Sequence, residues 1–235
     1  MLAFIHSANV RYAKSRTVET YNIMYREFPQ TSYRTELPGK ILRIAMREFL
    51  HRGVKSVKMD DIANLLGISK RTLYEIYPNK EELLLECVRL HEEDYDRHMA
   101  DYGCSENYSV IDIIIEFYKL QIESVTDVSA TFFQDLHKYK KVTDFLEQKR
   151  SARNRNAKEF FVRGVKEGFF LSDVDFDIVL RIGQESVEYA MRTEMYKCYD
   201  MKHLMHNILF LFLRGLCTAE GIERLDAFIT ENKDD

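Results

Sequence analysis

Lys70, Arg71 and Thr72 follow Ser69 in series, at the amino-terminal end of what reads as a short helix running to Tyr77. That placement suits DNA reading. An α-helix fits the major groove, its first residues reach base edges, and flanking groups fix register on phosphates. Arg71 can donate two parallel hydrogen bonds to a guanine, while Lys70 can serve a guanine or a phosphate. Leu65, Leu73 and Ile76 belong by their spacing to the core rather than to the reading face. The histidines form a second set of candidates. His91, Asp94, Tyr95 and His98 share one helical face, and His203 and His206 lie three apart, spacings that permit metal ligation. No Glu-x-x-His pair accompanies them, so the di-iron bundle signature is missing. The chain also lacks a Gly-rich phosphate loop, a nucleophile elbow and a His-Glu-x-x-His motif. The expectation is therefore a protein with no metal, no cofactor and no catalytic residues.

The elements that must hold the reading residues can be laid out from apolar spacing. Ile41, Leu42, Ala45, Met46, Phe49 and Leu50 recur at threes and fours and predict a first helix over about 40–51, started by Pro38-Gly39 and ended at Gly53. Met59–Leu66 and Lys70–Tyr77 then flank a three-residue turn, Gly67-Ile68-Ser69. Asp60 and Asp61 stabilise the start of one helix, Gly67 supplies the turn, and Ser69 caps the next. This is a helix-turn-helix. Pro78-Asn79 closes it and opens a fourth helix over about 80–101. Further helices are expected near 108–125, 128–140, 142–168, 175–197, 201–216 and 220–231. No alternating strand pattern or internal repeat occurs, so the fold class is all-α. Residues 1–36 show scattered aromatics without a period and read as an extension.

Composition agrees. A chain of 235 residues, 46% apolar and 31% charged, is globular and makes one large domain or two small ones. Only three prolines and nine glycines occur, which favours helices. Cys87, Cys104, Cys198 and Cys217 are widely spaced and give neither a zinc framework nor a disulfide pattern. No apolar run approaches the ~20 residues of a membrane span, and the amino terminus is too briefly apolar for a secretory signal. A cytoplasmic, nucleoid-associated protein with no membrane partner is expected. The net charge of −4 hides a division: residues 34–80 carry ten basic and five acidic groups, residues 81–235 twenty and thirty-one. Phosphate neutralisation needs cations locally, so a basic module on an acidic body points to a nucleic-acid unit joined to a different one.

Residues 40–86 resemble the amino-terminal domain of the tetracycline-repressor (TetR) family of bacterial transcription regulators. The matching residues are Ile44-Ala45, Phe49, Gly53, Met59, Ile62-Ala63, Leu66-Gly67-Ile68-Ser69, Thr72-Leu73-Tyr74, Tyr77 and Lys80-Glu81 with Leu83-Leu84. The resemblance implies a three-helix DNA-binding domain over 37–84, then a larger helical effector-binding and dimerisation domain over 85–235. It places Lys58, Met59, Ser69, Lys70, Arg71, Thr72, Tyr74, Tyr77 and Lys80 at the DNA, with Tyr74 and Lys80 on the backbone. Lys58 stands where the family usually has Ser or Thr, and would reach a phosphate by charge. Arg71 and Lys80 are both expected to be exposed in the free protein. The implied function is a repressor that binds double-stranded operator DNA as a homodimer and is released by a small-molecule effector. An effector pocket would draw on Phe117, Phe132, Phe133, His137, Tyr189 and Met191, and pairing on the stripe Leu204, Ile208, Phe212 and Leu216. The alternative is a helical-bundle enzyme or metal-binding protein that uses the helix-turn-helix as an interaction element.

Overall fold

The computed structural model describes residues 30–103, 107–126 and 128–231. Ten α-helices run in chain order among them: α1 Gln30–Arg52, α2 Met59–Leu66, α3 Lys70–Ile76, α4 Lys80–Gly103, α5 Val110–Val125, α6 Ala130–Leu136, α7 Lys140–Lys166, α8 Phe176–Arg192, α9 Met201–Leu216 and α10 Ala219–Glu231. A 3₁₀ turn, Met195–Lys197, joins α8 to α9. Among the described residues the β pairing is a single bridge between Phe170 and Cys217. The fold is all-α.

Most of the expected extension lies outside the described residues. Its last part is not separate from the first helix, because α1 starts at Gln30 and runs through Pro38. The proline forfeits one backbone hydrogen bond. Burial of Leu37 and Ile41, one turn apart, offsets that loss at about 1.5–3 kcal/mol each. Ala45, Met46, Phe49 and Leu50 continue the same buried face. Gly53 closes α1 with φ of 78°, a left-handed conformation that a side chain would strain.

The next two helices are short and depend on their caps. Gly67 takes φ of 63° at the end of α2, and the Ile68 N–H returns to the Ala63 carbonyl at 3.0 Å. Ser69 then caps α3 by accepting from the Thr72 N–H. Tyr77 adopts extended φ/ψ before Pro78, which excludes the helical conformation there. Asn79 Oδ1 accepts from the Glu82 N–H at 2.9 Å and opens α4.

In the body, α5 is the central helix, with Val110, Ile111, Ile113, Ile114, Tyr118, Leu120 and Val125 buried. It packs against α4, α7, α9 and α10. Phenylalanines fill the far end, where Phe161 stacks on Phe176 at 4.4 Å. The helix expected over 175–197 is broken. Glu194, at φ of 55°, turns the chain after Arg192 so that Tyr196 can enter the core.

Candidate nucleic-acid interface and effector cleft

α3 has two unlike sides. Leu73 is its buried anchor, whereas Ser69, Lys70, Arg71, Thr72 and Tyr74 face outward. Ser69 and Thr72 share a hydrogen bond between their hydroxyls at 2.8 Å. Arg71 is 88% exposed, and its Nε lies 2.8 Å from Glu75 Oε1. The Lys70 ammonium rests on the Asp60 carboxylate of α2, a hydrogen bond that raises the lysine's pKa. Lys58 is exposed at the start of α2, where its backbone N–H donates to Asp61 Oδ2 at 3.0 Å. An ammonium has no lone pair to accept from the helix, so Asp61 does the capping alone.

Three of the residues expected at DNA stand elsewhere. Met59 and Tyr77 are buried in the core of the three-helix unit. Burial pushes the Tyr77 phenol up to about 12. The first turn of α2 and the last of α3 must point inward for such short helices to hold. Lys80 is not a free cation either. Its Nζ donates to the carbonyls of Val54 (2.8 Å), Lys55 (3.2 Å) and Val57 (2.8 Å), so all three N–H groups are committed to the α1–α2 loop. Burial lowers its pKa, opposed by Asp135 and Asp61. Leu65 departs in the other direction: Met59, Ile62 and Ala63 fill the inner face of α2 and leave it exposed.

The same loop and the last turn of α1 are held from the body. Asp135 of α6 accepts from the Lys55 N–H at 2.7 Å, and the Ser129 N–H donates to the Leu50 carbonyl at 2.8 Å. Burial alone would raise the Asp135 pKa, but hydrogen bonds from Lys138 and from the Lys55 backbone hold it below the usual value. A Cβ on Gly53 would come within 2.7 Å of Thr131 Oγ1, so α6 fits this loop only against glycine.

On its other side α6 walls a cleft of about 780 Å³. Leu136, Leu146, Met191 and Tyr196 give it an apolar lining, and Gln134, His137, Thr143 and Arg192 add polar groups. Arg150 is fixed there at 11% side-chain exposure, 2.6 Å from Glu188 and paired with Glu147. Its hydrogen bond lowers the Glu188 pKa against the opposing effect of burial. A smaller cavity of about 400 Å³ between the α5–α6 connection and α9 is lined by Phe133, Tyr196, Tyr199 and Met201. The six residues expected in one pocket therefore separate. His137 and Met191 line the larger cleft and Phe133 the smaller. Phe132 is fully buried core, Phe117 packs on that core, and Tyr189 points outward. Helical spacing cannot distinguish those environments.

Two of the candidate histidines are engaged with protein groups. His98 Nε2 lies 2.7 Å from Glu116 Oε1, and His206 Nδ1 lies 2.5 Å from the Tyr118 hydroxyl. His91 is held neutral by burial, its pKa lowered to about 3. Where α4 crosses α7, Arg153 bridges the buried Glu92 (2.7 Å) and Asp96 (2.5 Å). Burial pushes the Glu92 carboxyl up to about 7, against the pull of Arg153.

The outer side of α8 and α9 carries large apolar side chains among charged ones such as Arg181, Glu185 and Arg214. Ile178, Ile182, Tyr189 and Leu211 are exposed, Leu211 at 70%. The stripe expected to pair is divided: Leu204 and Leu216 are buried within the chain, and only Ile208 and Phe212 are partly open. Phe212 lies against α8, its ring 3.6 Å from where a Cβ on Gly183 would stand, an ordinary contact distance.

An exposed, cation-bearing second helix of a helix-turn-helix, set on a helical body with a cleft, defines a DNA-binding regulatory protein. Residues 41–87 match the model of the bacterial regulatory proteins of the tetR family. That match spans the helix-turn-helix unit of this chain, from α1 to the first turns of α4. It is 22% identical over 169 residues to the HTH-type transcriptional repressor KstR2 of Mycolicibacterium smegmatis, covering 65% of this chain and 77% of the relative. A similar match, 22% over 170 residues, is found with KstR2 of Mycobacterium tuberculosis. Among solved structures, a regulator from Saccharomonospora viridis in complex with choline superposes with a TM-score of 0.61 at 19% identity, covering 78% of this chain and 99% of that one. A gamma-butyrolactone receptor superposes with a TM-score of 0.51 at 16% identity, over 84% and 99% of the two chains.

Proposed function

We propose that this protein is a dimeric transcriptional repressor that reads operator DNA with α3 and is released by a small molecule bound in the α6–α7–α8 cleft. The observation that carries the reading is the outward presentation of Ser69, Lys70, Arg71, Thr72 and Tyr74 around a single buried anchor, Leu73. Lys58 adds a phosphate contact at the start of α2. Pairing of two copies through Ile178, Ile182, Tyr189 and Leu211 would cover these exposed apolar side chains and set two α3 helices about one DNA turn, ~34 Å, apart. The relatives are regulators rather than enzymes, and this chain is read the same way, at work on the nucleoid in the cytoplasm. No helix among the described residues is long and apolar enough to cross a membrane.

The cleft favours an amphipathic ligand, with an apolar body against Leu136, Leu146 and Met191 and a polar end near Arg150 and Arg192. That relatives of this architecture were solved with choline or named for gamma-butyrolactone supports a small-molecule role for such a body. Release follows from the position of α6. Gln134, Leu136 and His137 face the cleft while Asp135 between them holds the α1–α2 loop. A ligand that favours one position of α6 shifts the spacing of the reading helices, and ~1–3 kcal/mol of differential affinity gives a several-fold to hundredfold effect.

The test is a gel shift with the DNA upstream of the protein's own gene, using the parent and Arg71→Ala. The parent should shift one fragment ahead of random competitor. Arg71→Ala should lose about 1–3 kcal/mol on that fragment and almost nothing on random DNA. Equal affinity and selectivity in the variant would remove Arg71 from the reading role.

A further inference from the structure

We propose that two carboxylates of the helix-turn-helix, Asp60 and Glu75, set how sharply it discriminates between sequences. Asp60 is a resident competitor for Lys70, and Glu75 is a positioning residue for Arg71. The inference rests on the proposed reading of DNA by α3. Both cations at the reading end are already paired inside the free protein, Lys70 with Asp60 across ten residues and Arg71 with Glu75 one turn on.

The two pairs do different things. Lys70 gives one N–H of its ammonium to Asp60 Oδ2, on a side chain that is 63% exposed. A phosphate that takes Lys70 either displaces this carboxylate or shares the ammonium with it, and in both cases a negative charge stands beside the polyanion. A lysine already neutralised by a protein carboxylate also displaces no counterion from DNA while the pair lasts. Asp60 therefore weakens the sequence-independent part of binding, where the lysine would otherwise contribute at every site.

Arg71 is held differently. Glu75 takes Nε, the inner nitrogen of the guanidinium, at 2.8 Å. The outer edge, with its two terminal nitrogens, stays open on a side chain that is 88% exposed. Guanine O6 and N7 require such a two-pronged donor. Held by Nε, the fork is aimed outward before DNA arrives, and less side-chain freedom is lost on contact. Glu75 also carries a negative charge that a phosphate would meet if Arg71 turned aside to the backbone. Base contact thus keeps the Arg71–Glu75 pair, while phosphate contact opposes it.

The experiment uses the full chain as parent, Asp60→Asn, Glu75→Gln and a control, Asp144→Asn. Asp144 forms an exposed pair of the same kind with Lys140, at 2.9 Å, in the body. The probe is a pool of random-sequence duplexes of about 30 base pairs, read by anisotropy across a salt series and by sequencing the bound fraction. Asp60→Asn should bind the pool about threefold to tenfold tighter, with a salt slope steeper by ~0.9 per half-site and an unchanged ranking of sequences. Glu75→Gln should flatten the preference at the base read by Arg71 by about threefold or more. Asp144→Asn should match the parent. Pool affinity and slope in Asp60→Asn no different from the control, or an unflattened preference in Glu75→Gln, overturns the proposal while DNA binding stands. Absence of duplex binding by the parent itself would sink the reading of α3 and this inference with it.

Discussion

Changing Lys80 to Met keeps the length and apolar stem of the side chain and removes its three donors. The carbonyls that lose them belong to Val54, Lys55 and Val57. Val54 and Val57 are fully buried residues, whereas Lys55 is exposed and its carbonyl can take a water instead. Leaving a buried acceptor without a partner costs about 1–3 kcal/mol, and two are affected. Removing a half-buried ammonium gives some of that back, because its desolvation no longer opposes folding. The expected net loss is about 2–3 kcal/mol. For a chain of this size each kcal/mol moves the melting temperature by about 2–4 °C, so Lys80→Met should melt roughly 4–12 °C below the parent by circular dichroism. A phosphate contact predicts the reverse pattern, with stability unmoved and the DNA salt slope reduced by about one unit per half-site. A melt within about 1 °C of the parent together with that shallower slope would refute the structural role derived for Lys80.

Asp135→Asn should raise the hydrogen exchange rate of the Lys55 amide about tenfold, since a charge-assisted hydrogen bond worth ~1.4 kcal/mol is weakened; unchanged protection would disconnect α6 from the loop. Leu211→Glu should weaken self-association at least about tenfold in sedimentation, because a carboxylate would enter an apolar interface, and a variant that pairs like the parent would place the dimer face elsewhere. Glu92 titrates near 7 in the folded protein, above its ordinary 4.5, so the folded state holds a proton that the unfolded chain has lost between those values. Stability should therefore fall as pH rises from about 4.5 to about 7, by up to ~3 kcal/mol, and Glu92→Gln should abolish that decline. A parallel pH dependence in the two proteins would exclude Glu92 as its source.

Periodicity was enough to locate most helices, because a buried face every third or fourth residue is a local signal. The α2–α3 turn was equally readable, since Gly67 and Ser69 each satisfy a backbone requirement at one position. What escaped depends on contacts distant in the chain. Lys80 sits at a family-like position in an opening helical turn, and nothing within ten residues reveals that three carbonyls from 54–57 converge on it. Asp135 and Lys55 meet across eighty residues. The start of α1 was misplaced because Pro38 breaks a helix by local rules, which the burial of Leu37 and Ile41 overrides. For the body, an amphipathic stripe shows that a helix is covered but not by what. Leu204 and Leu216 face their own chain, while Ile178, Ile182 and Leu211 face out. One missed feature was within reach. Arg71 and Glu75 are four apart on a helix, the spacing at which opposite charges meet.

The division of α3 into one buried anchor and an outward reading face bears on how such a protein changes over generations. Substitutions at 70, 71, 72 and 74 remove little from the core, because Leu73 carries the burial and Ser69 the cap. A lineage can therefore test new operators at almost no cost in folded population, one side chain at a time. Met59, Tyr77 and Lys80 have no such freedom, since each holds the frame on which the reading helix stands. Relatives that regulate different genes should accordingly differ at the first set of positions and keep the second.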